Sequence, residues 1–187
     1  VYLVAVGNPA SWIWLAVSVF AVIAYSAPVL RFKERPFLDS LTSSTHFVSP
    51  AIVGLALAGA PVTPAVVLTL RAVFLWGMAA HAFGAVQDIG PDREAGISSI
   101  ATVIGARATV RLALVLWVVA GAAMLLTPWP GPLAAVLALP YLVNAAPWWN
   151  VTDTTSASTN RAWRRFIALN YVAGFLATMI LILAWVS

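Results

Sequence analysis

The stretch HAFGAVQDIGPDREAGISSIAT, residues 81–102, closes one of the most apolar runs in the chain with three carboxylates, Asp88, Asp92 and Glu94. Only six acidic residues occur among the 187, so half of them stand here. Upstream, Pro64 to Val86 carries one formal charge, Arg71. A run of roughly 20 apolar residues is what a bilayer-spanning helix needs. The sequence therefore reads as a membrane helix that delivers a cluster of acids to its own end.

The rest of the chain agrees. It is 62% hydrophobic and 9% charged, with a mean hydropathy of +0.94, and a water-soluble globule of that composition lacks the polar surface to cover itself. The absence of cysteine removes disulfides, thiolate nucleophiles and cysteine-based zinc sites, and two histidines cannot make a metal site alone. A net charge of +4 is too small to point to nucleic acid, and no nucleic-acid partner is expected. The chain opens at Val1 without methionine and reaches a turn at Gly7-Asn8-Pro9, as if entering partway through a helix. A fragment is expected, and the opening lacks the basic flank of a secretory signal peptide.

Six windows are apolar and long enough to span, or nearly so: Trp12–Leu30, Ser44–Ala60, Pro64–Val86, Val110–Thr127, Pro132–Trp149 and Trp163–Val186. They are uninterrupted runs and not alternating ten-residue strands, so the expected fold is all-α, a polytopic transmembrane helical bundle. The loops are of two kinds. Arg31, Lys33, Arg35, Arg93, Arg107, Arg111, Arg161, Arg164 and Arg165 flank the loops after the first, third and fifth windows, together with all six acids. The loops GAPVT and TPWPGP carry no charge. By the positive-inside rule the charged loops face the cytoplasm, and any chemistry that uses charge is expected there.

Asp88 and Asp92 are four residues apart, a spacing that on a continuous helix sets two carboxylates on one face about 6 Å apart. Pro91 is expected to break the helix near Ile89-Gly90-Pro91 and to open a short new one with Asp92 and Glu94 in its first turn. The bend would bring both aspartates to one mouth, where a hard divalent cation such as Mg²⁺ relieves their repulsion. Acids solvated at a helix N-terminus would show the same spacing. The first charged loop, YSAPVLRFKERPFLDS (residues 25–40), brings Arg31, Lys33 and Arg35 beside Tyr25; such cations suit a diphosphate on Mg²⁺, and equally serve as topology determinants.

The pair of stretches YSAPVLRFKERP and HAFGAVQDIGPDREAGISSIATVIGARAT resembles the UbiA-type intramembrane prenyltransferases, the acidic segment matching their second aspartate-rich motif. The likeness is closest to the lycopene elongase branch, carotenoid prenyltransferases of actinobacteria and haloarchaea, and extends to NRAWRRFIALNYVAGF. The resemblance implies nine helices around a cytoplasm-facing cavity, with two aspartate-rich motifs holding Mg²⁺ on an allylic diphosphate. The first motif is not in these residues, so residues 1–187 are expected to be helices four to nine of one prenyltransferase domain.

Carried over residue by residue, the resemblance implies Asp88 and Asp92 as Mg²⁺ ligands, and Arg31, Lys33, Arg93 and Ser98 as diphosphate contacts. Tyr25 would hydrogen-bond the diphosphate or stabilise the allylic cation. His81, two turns before Asp88, and His46 would line the acceptor cavity, and Asp39 or His46 would assist loss of a proton or attack by water after coupling. The expected donor is dimethylallyl diphosphate and the expected acceptor lycopene or a related carotenoid, reached through the lipid bilayer; no protein partner is called for. An aromatic quinone precursor, a chlorophyllide-like alcohol or a glyceryl lipid would serve the same reaction as acceptor. The reading from another class is a membrane carrier or channel segment with the acids as a cation vestibule.

Overall fold

The computed structural model describes residues 2–186; Val1 and Ser187, the ends of the expected domain, lie outside the described residues. A short turn of helix, α1 (Tyr2–Ala5), precedes α2 (Pro9–Ser26). Asn8 caps α2 by accepting the Ser11 amide at 3.0 Å while Pro9 takes the first helical position, where no N–H is needed. The Asn8 side-chain amide also donates to the Ala56 carbonyl at 2.7 Å, which ties the start of α2 to the end of α3 (Leu38–Leu57) and makes the two antiparallel. Thr63 and Pro64 repeat the same start signal for α4 (Pro64–Ala85).

After α4 come the short helices α5 (Ile89–Glu94) and α6 (Ile100–Ile104), and then α7 (Ala106–Leu125), packed along α4. A 3-10 stretch, Gly131–Leu137, leads into α8 (Ala138–Ala145), and α9 (Asn160–Val186) closes the order. Neighbours in sequence are neighbours in space, α2 on α3, α3 on α4, α4 on α7, and α8 on both α7 and α9. The contact faces are rich in small residues, among them Ala79, Ala80, Ala106, Ala113 and Ala145, all buried. In lipid the apolar surroundings give helices little reason to associate, and close backbone approach is what holds them. Gly77 and Gly84 mark two such approaches: a Cβ there would meet Ser44 Oγ at 2.7 Å and the Trp163 ring at 2.9 Å.

Five helical segments are long and apolar enough to cross a membrane: Pro9–Ser26, Pro64–Glu94, Ala106–Leu125, Gly131–Trp148 and Asp153–Val186. The chain is an integral membrane protein, and the exposed Phe20, Phe175, Ile182 and Trp185 are the expected lipid-facing surface. The sequence count of six is one too many. The second window is helical, but α3 begins at Leu38, not Ser44, and takes in Asp39, Ser40 and Thr42. Those side chains, with Ser44 and Ser49, are buried against the bundle, so α3 is long enough to span but not apolar enough. The helix break was also expected too late. The tightening falls on a 3-10 turn at Val86–Asp88, and Gly90 and Pro91 are already helical. Proline is tolerated there because it lies in the first turn of α5, whose amides have no partner within that helix.

Candidate functional site

The charged loops gather at one end of the bundle, and the break after α4 sets the site. Asp88 ends the 3-10 turn with φ −95° and ψ 0°, and Asp92 follows one helical turn on within α5. Asp88 is exposed and Asp92 partly so, and the two carboxylates are close enough for Asp88 to feel the charge of Asp92. The Gln87 carboxamide faces Asp88, and the Ser99 hydroxyl faces Asp92. Behind Gln87, the Asn160 side-chain amide at the start of α9 donates to Gln87 Oε1.

Gly96 ends α5 in the left-handed conformation at φ +69°. Its amide reaches Arg93 O at 3.2 Å and the Ile97 amide reaches Asp92 O at 2.8 Å, the paired bonds of a glycine-terminated helix. The chain then turns through Ser98, which is exposed, to Ser99, which caps α6 in a reciprocal arrangement with Thr102. Arg93 is held by Thr102 and Asp153: its Nη2 donates to the Thr102 carbonyl at 2.9 Å and lies 2.8 Å from Asp153 Oδ2. Asp153 Oδ1 accepts the Ala106 amide at 2.7 Å, which fixes the start of α7 as well.

Deeper in the bundle lies a second polar group. Asp39, in the first turn of α3, is fully buried. A buried carboxylate is costly unless hydrogen-bonded, and both oxygens are satisfied: Oδ1 accepts the Ser40 amide at 2.7 Å and Oδ2 the Ile100 amide at 2.8 Å. His81 Nε2 stands 3.7 Å from the same Oδ2. Tyr25 lies near Asp39 and packs edge-on against His46 with 5.3 Å between ring centroids. His46 Nε2 is buried without a hydrogen-bond partner, as is Ser40 Oγ.

Thus Tyr25, Asp39, His46 and His81 come together, as do Asp88 and Asp92, and the Asp39–Ile100 bond connects the two groups. The cationic loop does not touch the acids. Arg31 pairs with Glu34 at 3.3 Å, Arg35 lies over the Phe32 ring at 5.7 Å, and Lys33 is exposed with no ion pair among the described residues. Gln87, Asn160 and Asp153 were not singled out by the sequence reading. Gln87 and Asn160 are polar residues at the ends of apolar spans, and that position is the signal that could have found them.

Among the described residues, no three of His, Cys, Asp and Glu come together as a metal cluster. The donors on offer are a pair of carboxylates at an open mouth. That set fits Mg²⁺, which takes one or two protein carboxylates and completes its shell with waters and phosphate oxygens. At the other end of the bundle, a cavity of about 540 Å³ opens between α4, α7, α8 and α9, lined by Trp76, Trp117, Met124, Trp129, Tyr141 and Asn170 among others. His81 and His46 do not line it. Stacked aromatics, Trp117 on Tyr141 and Phe166, and Trp163 on Phe166, fill the bundle on the way toward the charged end.

The chain is 51% identical over 176 residues to a lycopene elongase/hydratase of Corynebacterium glutamicum, covering 94% of this chain and 61% of that protein. It is 54% identical over 189 residues to a C(50) beta-cyclic carotenoids biosynthesis protein of Dietzia sp. strain CQ4, covering 99% of this chain and 44% of that one. A lycopene elongase/hydratase of Haloferax volcanii is 36% identical over 156 residues, covering 79% of this chain and 51% of the relative. The chain thus spans about three fifths or less of these relatives. Among solved structures, a UbiA homolog from Archaeoglobus fulgidus bound to Cd²⁺ has the same fold, with a TM-score of 0.58 at 22% identity over 90% of this chain and 66% of that one. The model of the UbiA prenyltransferase family matches residues 1–172, and the chain belongs to that family.

Proposed function

We propose that the protein transfers an allylic prenyl group from dimethylallyl diphosphate to lycopene or a related carotenoid, elongating it toward C45 and C50 products. The observation that carries the reading is the Asp88–Asp92 pair at a helix break on the charged face. The acceptor is suggested by the names of the relatives at about half identity, and the donor by the five-carbon increments that separate C40, C45 and C50 chains.

In this reading Asp88 and Asp92 hold Mg²⁺, which when bound supplies neutralising charge to the departing diphosphate. Gln87 and Asn160 orient Asp88, since outer partners that fix a ligand's direction tune a metal site as much as the ligands do. Arg31 and Lys33 swing onto the diphosphate from the opposite loop, with Ser98 and the Arg93 nitrogens not held by Asp153 completing its surroundings. Tyr25 lies at the inner edge, where it can donate to a diphosphate oxygen or face the allylic cation. The apolar helices exclude water that would trap that cation, and the acceptor enters from the bilayer to the side of His46 and His81. The active mouth lies on the cytoplasmic side, as the placement of Lys and Arg suggests.

The test is Mg²⁺-dependent release of diphosphate and formation of elongated carotenoid in membranes carrying the protein. Asp88→Asn and Asp92→Asn should each lower both by at least about 100-fold, the scale of losing one preorganised charge-stabilising group. Turnover that survives both substitutions, or that needs no divalent cation, refutes the assignment.

A further inference from the structure

Beneath the acid mouth sits a polar group that the metal and the diphosphate do not require. Asp39 belongs to it, but with no exposed surface and both oxygens occupied by the Ser40 and Ile100 amides it cannot touch a substrate. His81 can. Its side chain is 21% exposed and its Nε2 faces Asp39 Oδ2 at 3.7 Å, so a proton held on Nε2 leaves Nδ1 as the basic nitrogen. The separation exceeds a direct hydrogen bond, and such contacts between a base and the group behind it commonly tighten only when substrate fills the site. His81 lies on α4 seven residues before Asp88, which ends the 3-10 turn that continues that helix, so it sits about 10 Å deeper in the bundle than Asp88. The diphosphate and the first carbons of a donor held at Asp88 would occupy that interval, which places His81 at the level of the new bond.

The chemistry requires a group there. When the first carbon of the allylic donor leaves its diphosphate oxygen and bonds to a terminal alkene carbon, the alkene's other carbon becomes a tertiary cation. Discharging it as an alkene means losing a proton from the neighbouring carbon, whose C–H pair becomes the new double bond. That proton needs an acceptor away from the metal-bound carboxylates. Resting on the function proposed above, we infer that His81 Nδ1 receives this proton and that Asp39 is the positioning residue that orients the ring and balances the imidazolium. The diphosphate leaves at the mouth, and the imidazolium returns its proton to solvent after product departs. An aspartate behind a histidine serves the same two purposes in catalytic triads, where its loss leaves the wrong tautomer. Tyr25 and His46 border the pair, and the unpartnered His46 Nε2 and Ser40 Oγ keep its surroundings polar.

The experiment measures diphosphate release and coupled carotenoid separately, in membranes with Mg²⁺, dimethylallyl diphosphate and lycopene, for the unsubstituted protein, His81→Gln, Asp39→Asn and Asp88→Asn. Asp88→Asn should lose both signals, since it strikes the ionisation step. His81→Gln should keep diphosphate release and total coupling within about threefold while the ratio of alkene-ended to hydroxyl-ended coupled carotenoid falls about 100-fold, water discharging the tertiary cation where the base is lost. Asp39→Asn should lower the same ratio by about 10-fold, and a merely structural defect would lower both signals together and leave the ratio unmoved. An unchanged ratio in His81→Gln overturns the inference, and so does parallel loss of both signals in that variant. If the unsubstituted protein releases diphosphate but couples to no carotenoid or other acceptor, the proposed function fails first and takes this inference with it.

Discussion

Asp153 offers a test in which a single side chain carries two separable interactions. Its Oδ2 faces Arg93 at 2.8 Å, and its Oδ1 accepts the amide of Ala106, the first residue of α7, at 2.7 Å. Gly105, in the capping position of that helix, has no side chain to do this, so Asp153 caps α7 from 47 residues away. The ion pair is roughly half open to solvent, with side chains 47% and 36% exposed, and screening holds such a pair to about 0.5 kcal/mol. The cap is a charge-assisted bond to a terminal amide, and its removal costs about 1–2 kcal/mol. Asp153→Asn keeps an acceptor for Ala106 and loses only the pair; Asp153→Ala loses both, about 2 kcal/mol in all. At about 2–4 °C per kcal/mol for a chain of this size, Asp153→Ala should melt roughly 4–8 °C lower and Asp153→Asn roughly 1–2 °C lower. Thermal unfolding of the detergent-purified protein gives the comparison, and high salt should erase most of the Asp153→Asn difference while leaving that of Asp153→Ala. Equal losses in Asp153→Asn and Asp153→Ala would refute the capping argument.

Two further perturbations follow from the same loop. Gly96→Ala meets no atom within 4 Å but must adopt φ +69°, so it should destabilise by about 1–2 kcal/mol through the backbone alone. Gly90→Ala, equally uncrowded but helical, should be neutral or stabilising by up to about 1 kcal/mol; the reverse order in thermal unfolding would contradict the conformations assigned here. Mg²⁺ added to about 100 times its dissociation constant should raise stability by about 2.7 kcal/mol. That gain should disappear in Asp88→Asn and Asp92→Asn, and its persistence in both would place the metal elsewhere.

What the sequence disclosed was whatever chain chemistry enforces locally. Unbroken apolar runs announce the helices, and the charge-free loops set one end of the bundle apart from the other. The miscount at α3 has a physical source. A hydropathy reading assumes that polar residues avoid a bundle's interior, whereas Asp39 and Ser44 are inside because the amide of Ile100 and the carbonyl of Phe74 await them there. Those partners are 61 and 30 residues away, beyond any window. The proximity of Asp88 and Asp92 was legible from their spacing. The clasp of Arg93 by Asp153 was not, since nothing local distinguishes an arginine that holds a loop from one that waits for a phosphate.

The clasps share one consequence. Two carboxylates brought close on a short helix repel, and left alone α5 would relax by swinging one of them into solvent. Its lead-in is instead held by Gln87 to Asn160 on α9, and its middle by Arg93 to Asp153. The helix that follows its exit is held by the Ile100 amide to Asp39 on α3. Three contacts from two segments of the chain, residues 153–160 and the start of α3, thus brace the segment from Gln87 to Ile100 against the repulsion within it. A charge-relieving ligand then finds its two donors already placed, and little of its binding free energy goes to ordering them. Ala79, Phe83, Val86, Ile89, Ala101 and Ala106 are buried together toward the charged end, while the cavity opens at the other. Rigidity sits where like charges must be held together, and free volume where only an apolar chain would need room.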